Sequence, residues 1–337
     1  MEKEFELIKG KFSYSKLNQY DTCPFAYYNK YVRGMFFDKP SVATDFGVLV
    51  HKIEENITAA LMRGDAVDYV GLKDFFVNAN IPKKNAFDRD GNIFGTEILS
   101  RRYSREWASF DNKSGKSYAL KAAEYMERGI YRQEEFLKEN PNLRLVGAEI
   151  EFKYVYRDYL FYGFIDRVFQ DINDEKHFVI HDIKTKDKPF SDKELITPLQ
   201  FVVYTEALRN KYGDDISVDC WYELPIVGIR QAGGTRGFVK RGLKKIDSIL
   251  DGIEAKDFHP SPCPLCYWCA YSNTNPNQPD EGKNTCPYYS LWNPSGKSYA
   301  VKFPWEGMEK HDKQMEKLVR IEAEESGSIK PFIDFHF

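Results

Sequence analysis

Two acids and a lysine sit in a spacing that can do hydrolytic chemistry. Asp166 closes the segment Gly163-Phe164-Ile165-Asp166, and Asp182 opens Asp182-Ile183-Lys184. Both follow apolar, β-branched and aromatic runs that read as neighbouring strands, each acid standing near its strand's end. Alternation along a strand puts Asp182 and Lys184 on one face. If the two strands pair, Asp166 approaches Asp182 and the carboxylates make a hard-oxygen site suited to Mg²⁺ or Mn²⁺. A lysine two residues on can orient or deprotonate water and steady a charged phosphate. An acid-x-Lys triplet also arises by chance, and an Asp at a strand end often only caps a turn. Here Asp182 follows Phe178-Val179-Ile180, where a charge near the sheet interior needs a reason.

The thiols are a second constellation. The six cysteines are Cys23, Cys220, Cys263, Cys266, Cys269 and Cys286. Cys263, Cys266 and Cys269 repeat the C-x-x-C spacing with which a turn aims thiolates at one metal ion or cluster, and Cys286 follows. From spacing alone a zinc ribbon leads. Cys220, inside an apolar strand, reads as a buried core thiol. The N-terminus, MEKEFELIKG, has neither the basic start nor the apolar stretch of a secretion signal, and no run of 18 apolar residues occurs. The expected setting is intracellular and reducing, where such cysteines bind metal rather than form disulfides.

The elements that must position these residues follow from periodicity. Ser13 or Ser15 caps a first helix with Leu17, Tyr20 and Tyr27 on one face. A second helix runs from about Asp45 to Arg63, with Phe46, Val50, Ile53, Ile57 and Leu61 inward and His51 beside the stripe. On its own, His51 reads as a partly buried helix histidine. Residues 64–140 are polar and mostly helical in pattern, broken near Asp88–Asn92, and read as a helical insertion. Three strands follow, VGAEIEFKYVY, YLFYGFIDRVFQ and HFVIHDIKT, with a turn at Asn173–Asp174. KELITPLQFVVYTEALRN reads as one helix, with Leu199, Val202, Val203 and Leu208 inward and Gln200 and Tyr204 sharing a face at i and i+4. DISVDCWYELPIVG is a further strand. KRGLKKIDSILDGIEAKDF is an amphipathic helix leading to the thiols, and GMEKHDKQMEKLVRIEAEES is a charged surface helix. The fold class is α/β, a central sheet flanked by helices.

Composition bounds the rest. The chain has 337 residues, 42% hydrophobic and 29% charged, an ordinary globular mixture that excludes global disorder. The net charge of −3 lacks the basic excess common in nucleic-acid proteins and weighs mildly against DNA, although binding depends on where charges sit. The 22 Tyr and 25 Phe serve core packing, or stacking on unpaired bases. No phosphate-cradling G-x-x-x-x-G-K-[ST] occurs, so the chain is not an ATP-driven motor.

The ordered set SYSKL…CP, GVLVH, GFID, HDIKT, QFVVY and C-x-x-C with a final Cys resembles the RecB/AddB-type branch of the PD-(D/E)XK nuclease superfamily. It is most similar to members with an iron–sulfur cluster, such as the exonucleases of CRISPR adaptation. The resemblance covers the start and the second half of the chain. It implies a restriction-endonuclease-like core with a mixed sheet, a helical insertion and a C-terminal iron–sulfur region. Its segments would be 1–63 (first helices and first cluster ligand), 64–140 (insertion), 141–258 (nuclease core) and 259–337 (cysteine region and last helix). It implies His51, Asp166, Asp182 and the Ile183 carbonyl as ligands of Mg²⁺ or Mn²⁺. Lys184 would be the catalytic lysine, and Gln200 and Tyr204 the Q-x-x-x-Y pair that supports the site and the DNA. Cys23, Cys266, Cys269 and Cys286 would hold [4Fe–4S], with Cys263 the alternative to Cys286. The activity implied is exonucleolytic cleavage of single strands or duplex ends in replication, recombination, repair or adaptation, with protein partners from such complexes and no membrane. The rival readings are a non-catalytic DNA-binding module stapled by a metal, and an endonuclease subunit that depends on a partner.

Overall fold

A long hairpin organises the sheet. Strand β6 (Leu143–Tyr156) returns as β7 (Tyr159–Asp171) through the two-residue turn Arg157–Asp158. Both turn residues have positive φ, 50° and 64°, the geometry whose twist matches that of the flanking strands. β8 (His177–Ile183) runs antiparallel to β7 and parallel to β9 (Ser217–Leu224), and β10 (Ile229–Ala232) turns back along β9. Strand β1 (Gly10–Phe12) also pairs with β7, near whose start Lys9 N–H donates to Asp158 O at 2.8 Å. The parallel and antiparallel ladders make the sheet mixed, as expected. Two short ladders, β2 (Ala86–Phe87) with β3 (Ile93–Phe94) and β4 (Phe110–Asp111) with β5 (Lys116–Ser117), stand apart.

This computed structural model describes residues 9–37, 42–65, 67, 86–87, 93–94, 110–111, 116–117, 121, 125, 135–186, 188–261, 263, 265–266, 269–271 and 286. Most of the expected insertion and all of the expected last helix lie outside them. Within 64–140 the described pieces include the two short ladders, so the segment is not wholly helical. β2 and β3 flank the Asp88–Asn92 stretch, whose Asp, Gly and Asn are turn formers. The chain forms two compact units, Met1–Lys39 with Val155–Leu160 and Lys245–Phe337, and Pro40–Tyr154 with Phe161–Lys244.

In the first unit, α1 (Tyr14–Thr22) starts at Ser13, whose hydroxyl accepts from Lys16 N at 3.4 Å. Leu17 and Tyr20 are buried, but the helix stops at Cys23. Pro24 cannot supply the next backbone donor and instead sits at the first position of α2 (Pro24–Tyr27). Tyr27 is therefore buried from a second helix rather than from the face of the first.

In the second unit, α3 (Val42–Arg63) buries Phe46, Val50, Ile53 and Ile57, as its spacing requires. The helix expected over 193–210 is two helices, α4 (Asp192–Ile196) and α5 (Leu199–Tyr212). Pro198 forces the break, because its ring pushes Thr197 out of the helical region. Ser191 and Glu194 close a capping box on α4, and α5 ends at Gly213 with φ 106°. The expected inward residues Leu199, Val202, Val203 and Leu208 are buried. Helix α6 (Phe238–Glu254) begins against α5, where a Cβ on Gly242 would collide with Val202. No helix among the described residues is long and apolar enough to cross a membrane.

Candidate active site

The β7–β8 register, which pairs Arg167 with His181, carries Asp166 alongside Asp182 at the end of their shared ladder. Asp166 is not near the end of its strand, because β7 runs five residues further. It is the ladder with β8 that ends there. Asp182 is the penultimate residue of β8 and is fully buried. Ile183 N–H donates to Asp166 Oδ2 at 2.6 Å, which locks the two strands at the site. Lys184 lies one residue past β8, and its Nζ stands 2.5 Å from Asp182 Oδ2. The backbone of Lys184 is tied down separately, its N–H donating to Glu223 O on β9 at 2.9 Å.

Helix α3 brings His51 to the same place. His51 Nδ1 lies 3.4 Å from Asp166 Oδ2 and 3.8 Å from Glu149 Oε1. One ligand atom from each of His51, Glu149 and Asp166 falls within 4.8 Å of the others. Glu149 was missed in the sequence because alternation along VGAEIEFKYVY places it on the outer face. From 151 to 155 that alternation holds, with Phe152 and Tyr154 buried and their neighbours exposed. At Glu149 the backbone turns to φ 46°, a left-handed conformation that costs a non-glycine residue about 1–2 kcal/mol and re-aims its side chain. Gly147 permits the kink, since a Cβ there would lie 2.9 Å from Ile150 Cγ1. The signal available in the sequence was Gly147 two residues before an acid inside a strand pattern.

Electrostatics mark this as a place that wants a cation. Burial disfavours the charged imidazole of His51, yet hydrogen bonding and charge from Asp166 and Glu149 outweigh it and lift its pKa to about 10, with Lys184 opposing. In Asp182 burial dominates and pushes the pKa up to about 6; Lys184 pulls it down and Asp166 adds repulsion. Its Oδ2 is paired with the Lys184 ammonium, and its Oδ1 has no hydrogen-bond partner among the described residues. Gln200 Nε2 donates to Tyr204 Oη at 2.7 Å, and both are buried. Burial, with Asp182 and Asp166 nearby, keeps the Tyr204 phenol neutral, so its O–H is a donor.

A model of the PD-(D/E)XK nuclease superfamily matches residues 11–274. The chain belongs to that superfamily. The nuclease also resembles a solved structure described as a "putative exonuclease" from Eubacterium rectale, with 14% identity, 77% of this chain and 87% of the other covered, and a TM-score of 0.39. A comparison with curated proteins gives no match.

The first unit of the nuclease holds the thiols. Cys23, Cys263, Cys266, Cys269 and Cys286 all line one cavity of about 440 Å³. Burial raises the pKa of Cys23, while the Ser261 N–H donates to its sulfur at 3.4 Å and favours the thiolate. Cys266 Sγ accepts from Cys263 N–H at 3.3 Å. Cys220 stands apart, buried in β9 with Sγ 4.0 Å from Thr205 Oγ1.

Proposed function

We propose that the protein is a metal-dependent deoxyribonuclease acting exonucleolytically on single strands or duplex ends. The observation that carries it is the His51–Glu149–Asp166 cluster, whose three ligand atoms lie within 4.8 Å of one another beside the fully buried carboxylate of Asp182. The Lys184 ammonium offsets one charge of this acidic group, and a divalent ion among His51, Glu149 and Asp166 would offset the rest. His51, Asp166, Asp182 and the Ile183 carbonyl, with Glu149 added, would hold one or two Mg²⁺ or Mn²⁺ ions. Such an ion supplies a Lewis acid for the phosphoryl oxygens and lowers the pKa of attacking water. Lys184 positions that water and offsets charge on the phosphate. Water adds to phosphorus, the P–O bond to the leaving oxygen breaks, and that oxygen takes up a proton. Gln200 and Tyr204 brace the wall behind Asp182. Imidazole suits Mn²⁺ better than Mg²⁺, so Mn²⁺ should serve at least as well.

In this reading residues 141–258 are the catalytic core, completed by the helices of 1–63, and 64–140 guides the strand. Residues 259–337, with Cys23, hold [4Fe–4S] on Cys23, Cys266, Cys269 and Cys286. Support comes from the shared cavity and from the Ser261 N–H that donates to Cys23, since such bonds tune cluster thiolates. The test is incubation with end-labelled single-stranded, duplex and circular DNA in Mg²⁺, Mn²⁺ or chelator. Linear DNA should be degraded from its ends, circles should survive, and chelator should stop the reaction. Full activity in chelator would overturn the metal reading, and cleaved circles the exonuclease reading.

A further inference from the structure

Behind the candidate site lies a buried ionic network that the reaction does not use. Arg167 is 1% exposed, and from β7 its guanidinium reaches two other elements. It pairs with Glu54 on α3, donates to Thr58 Oγ1 on the same helix at 3.2 Å, and donates to Glu223 Oε2 on β9 at 2.8 Å. Tyr125 Oη bonds Glu54. His181 Nδ1 on β8 stands 3.4 Å from the same Glu223 oxygen. Arg167 thus places one buried guanidinium between two buried carboxylates, Glu54 and Glu223.

Each member adjoins a site residue along the chain, along the helix or across the ladder. Glu54 follows His51 by three positions, one turn along the same face of α3. Arg167 follows Asp166, and His181 precedes Asp182. Glu223 pairs with Ile183 and takes the Lys184 N–H on its carbonyl. Successive strand residues face opposite sides, so side chains adjacent to the acids meet one another behind the sheet. Arg167 spans α3 and β9 from β7, and its planar fork does so with fixed angles.

We propose that the Glu54–Arg167–Glu223–His181 network is the positioning frame of the metal site. It sets how far α3 stands from β7, and hence the spacing of His51 from Asp166, and it holds β7, β8 and β9 in the register that aligns Asp166, Asp182 and Lys184. Fold stability alone is a poor reason to keep it. A buried ion network is often no more stabilising than apolar groups of the same volume, and its best-attested use is to select one geometry. Site ligands need placement within about 0.5 Å, which loosely packed apolar side chains do not guarantee.

The inference rests on the metal-nuclease reading, so the test begins with Mn²⁺ binding to the wild-type protein, followed by electron paramagnetic resonance. Two variants follow. Arg167→Lys keeps the charge but cannot bridge Glu54 and Glu223 at once. The triple variant Glu54→Gln, Arg167→Met, Glu223→Gln removes the charges at nearly constant volume and keeps the fold testable should the single variant fail to fold. Positioning predicts, in whichever folds with wild-type circular dichroism, Mn²⁺ affinity weakened at least tenfold and a changed Mn²⁺ line shape. Half-saturating metal for cleavage should rise in step while KM for DNA stays put. Wild-type Mn²⁺ affinity and line shape in a folded variant overturn the frame and leave the nuclease reading standing. No Mn²⁺ binding by the wild type overturns both.

Discussion

Asp182 and Glu149 show how single residues can work against stability in this site. Asp182 buries a carboxylate whose pKa is raised to about 6. A raised carboxyl pKa means that the folded state prefers the protonated form. The penalty is absent below the usual 3.8, grows as pH rises through about 6, and is complete above. Asp182→Asn should therefore stabilise the metal-free protein at pH 7.5 but not at pH 4, and should abolish cleavage. Urea unfolding at both pH values in chelator checks it, and equal shifts at both would remove the electrostatic account. Lys184→Ala should likewise abolish cleavage while leaving DNA binding in place, which a gel-shift assay reads. Glu149 adds backbone strain at φ 46°. Glu149→Gly should relieve it and raise stability by about 1 kcal/mol. The same change removes a carboxylate from the His51–Asp166 pair, so half-saturating Mn²⁺ should rise by about 10-fold or more, by analogy with supporting groups at metal sites. A variant both less stable and equally active would contradict both roles.

The elements are held to tolerances that propensity does not reveal. Helix α5 carries Gln200 and Tyr204 behind Asp182, and its position depends on how closely α6 approaches at Gly242. Alanine is intrinsically better than glycine in a helix by about 1 kcal/mol. Here the added methyl collides with Val202, and overpacking typically costs about 1–3 kcal/mol. The clash should win or at best break even, so Gly242→Ala should fail to stabilise. A denaturant titration showing a gain near the full propensity value would mean that the two helices separate cheaply. The same sensitivity explains why the single helix expected over 193–210 divides. The apolar positions of α5 follow helical spacing, but Pro198 sets where its first turn can begin.

For the whole molecule, the joining of distant segments matters most. Cys23 lies 263 positions from Cys286, yet both line one cavity with Cys263, Cys266 and Cys269. The proposed [4Fe–4S] cluster on Cys23, Cys266, Cys269 and Cys286 predicts that protein purified without oxygen is brown, with about four irons per chain. Cys23→Ala should lose the colour and lower the melting temperature, because it opens a link across a very long loop. Cys263→Ala should keep both if Cys286 is the fourth ligand. A colourless protein with one zinc would replace the cluster with a zinc site and leave the carboxylate site untouched. The sequence by itself determined the strand–strand–strand–helix order, the shared strand face of Asp182 and Lys184 and the clustering of Cys263, Cys266 and Cys269, because periodicity, apolar runs and ligand spacing are local properties; Cys23 was placed with them only by the family resemblance. It did not determine that Glu149 joins His51 and Asp166, since a single left-handed residue reverses the face that alternation assigns. Nor did it reveal that Arg167 binds α3 to β9, because the interaction joins residues separated by 113 and 56 positions. Those are decided only by tertiary structure, where the burial of a charge forces each partner to be found wherever the chain brings it.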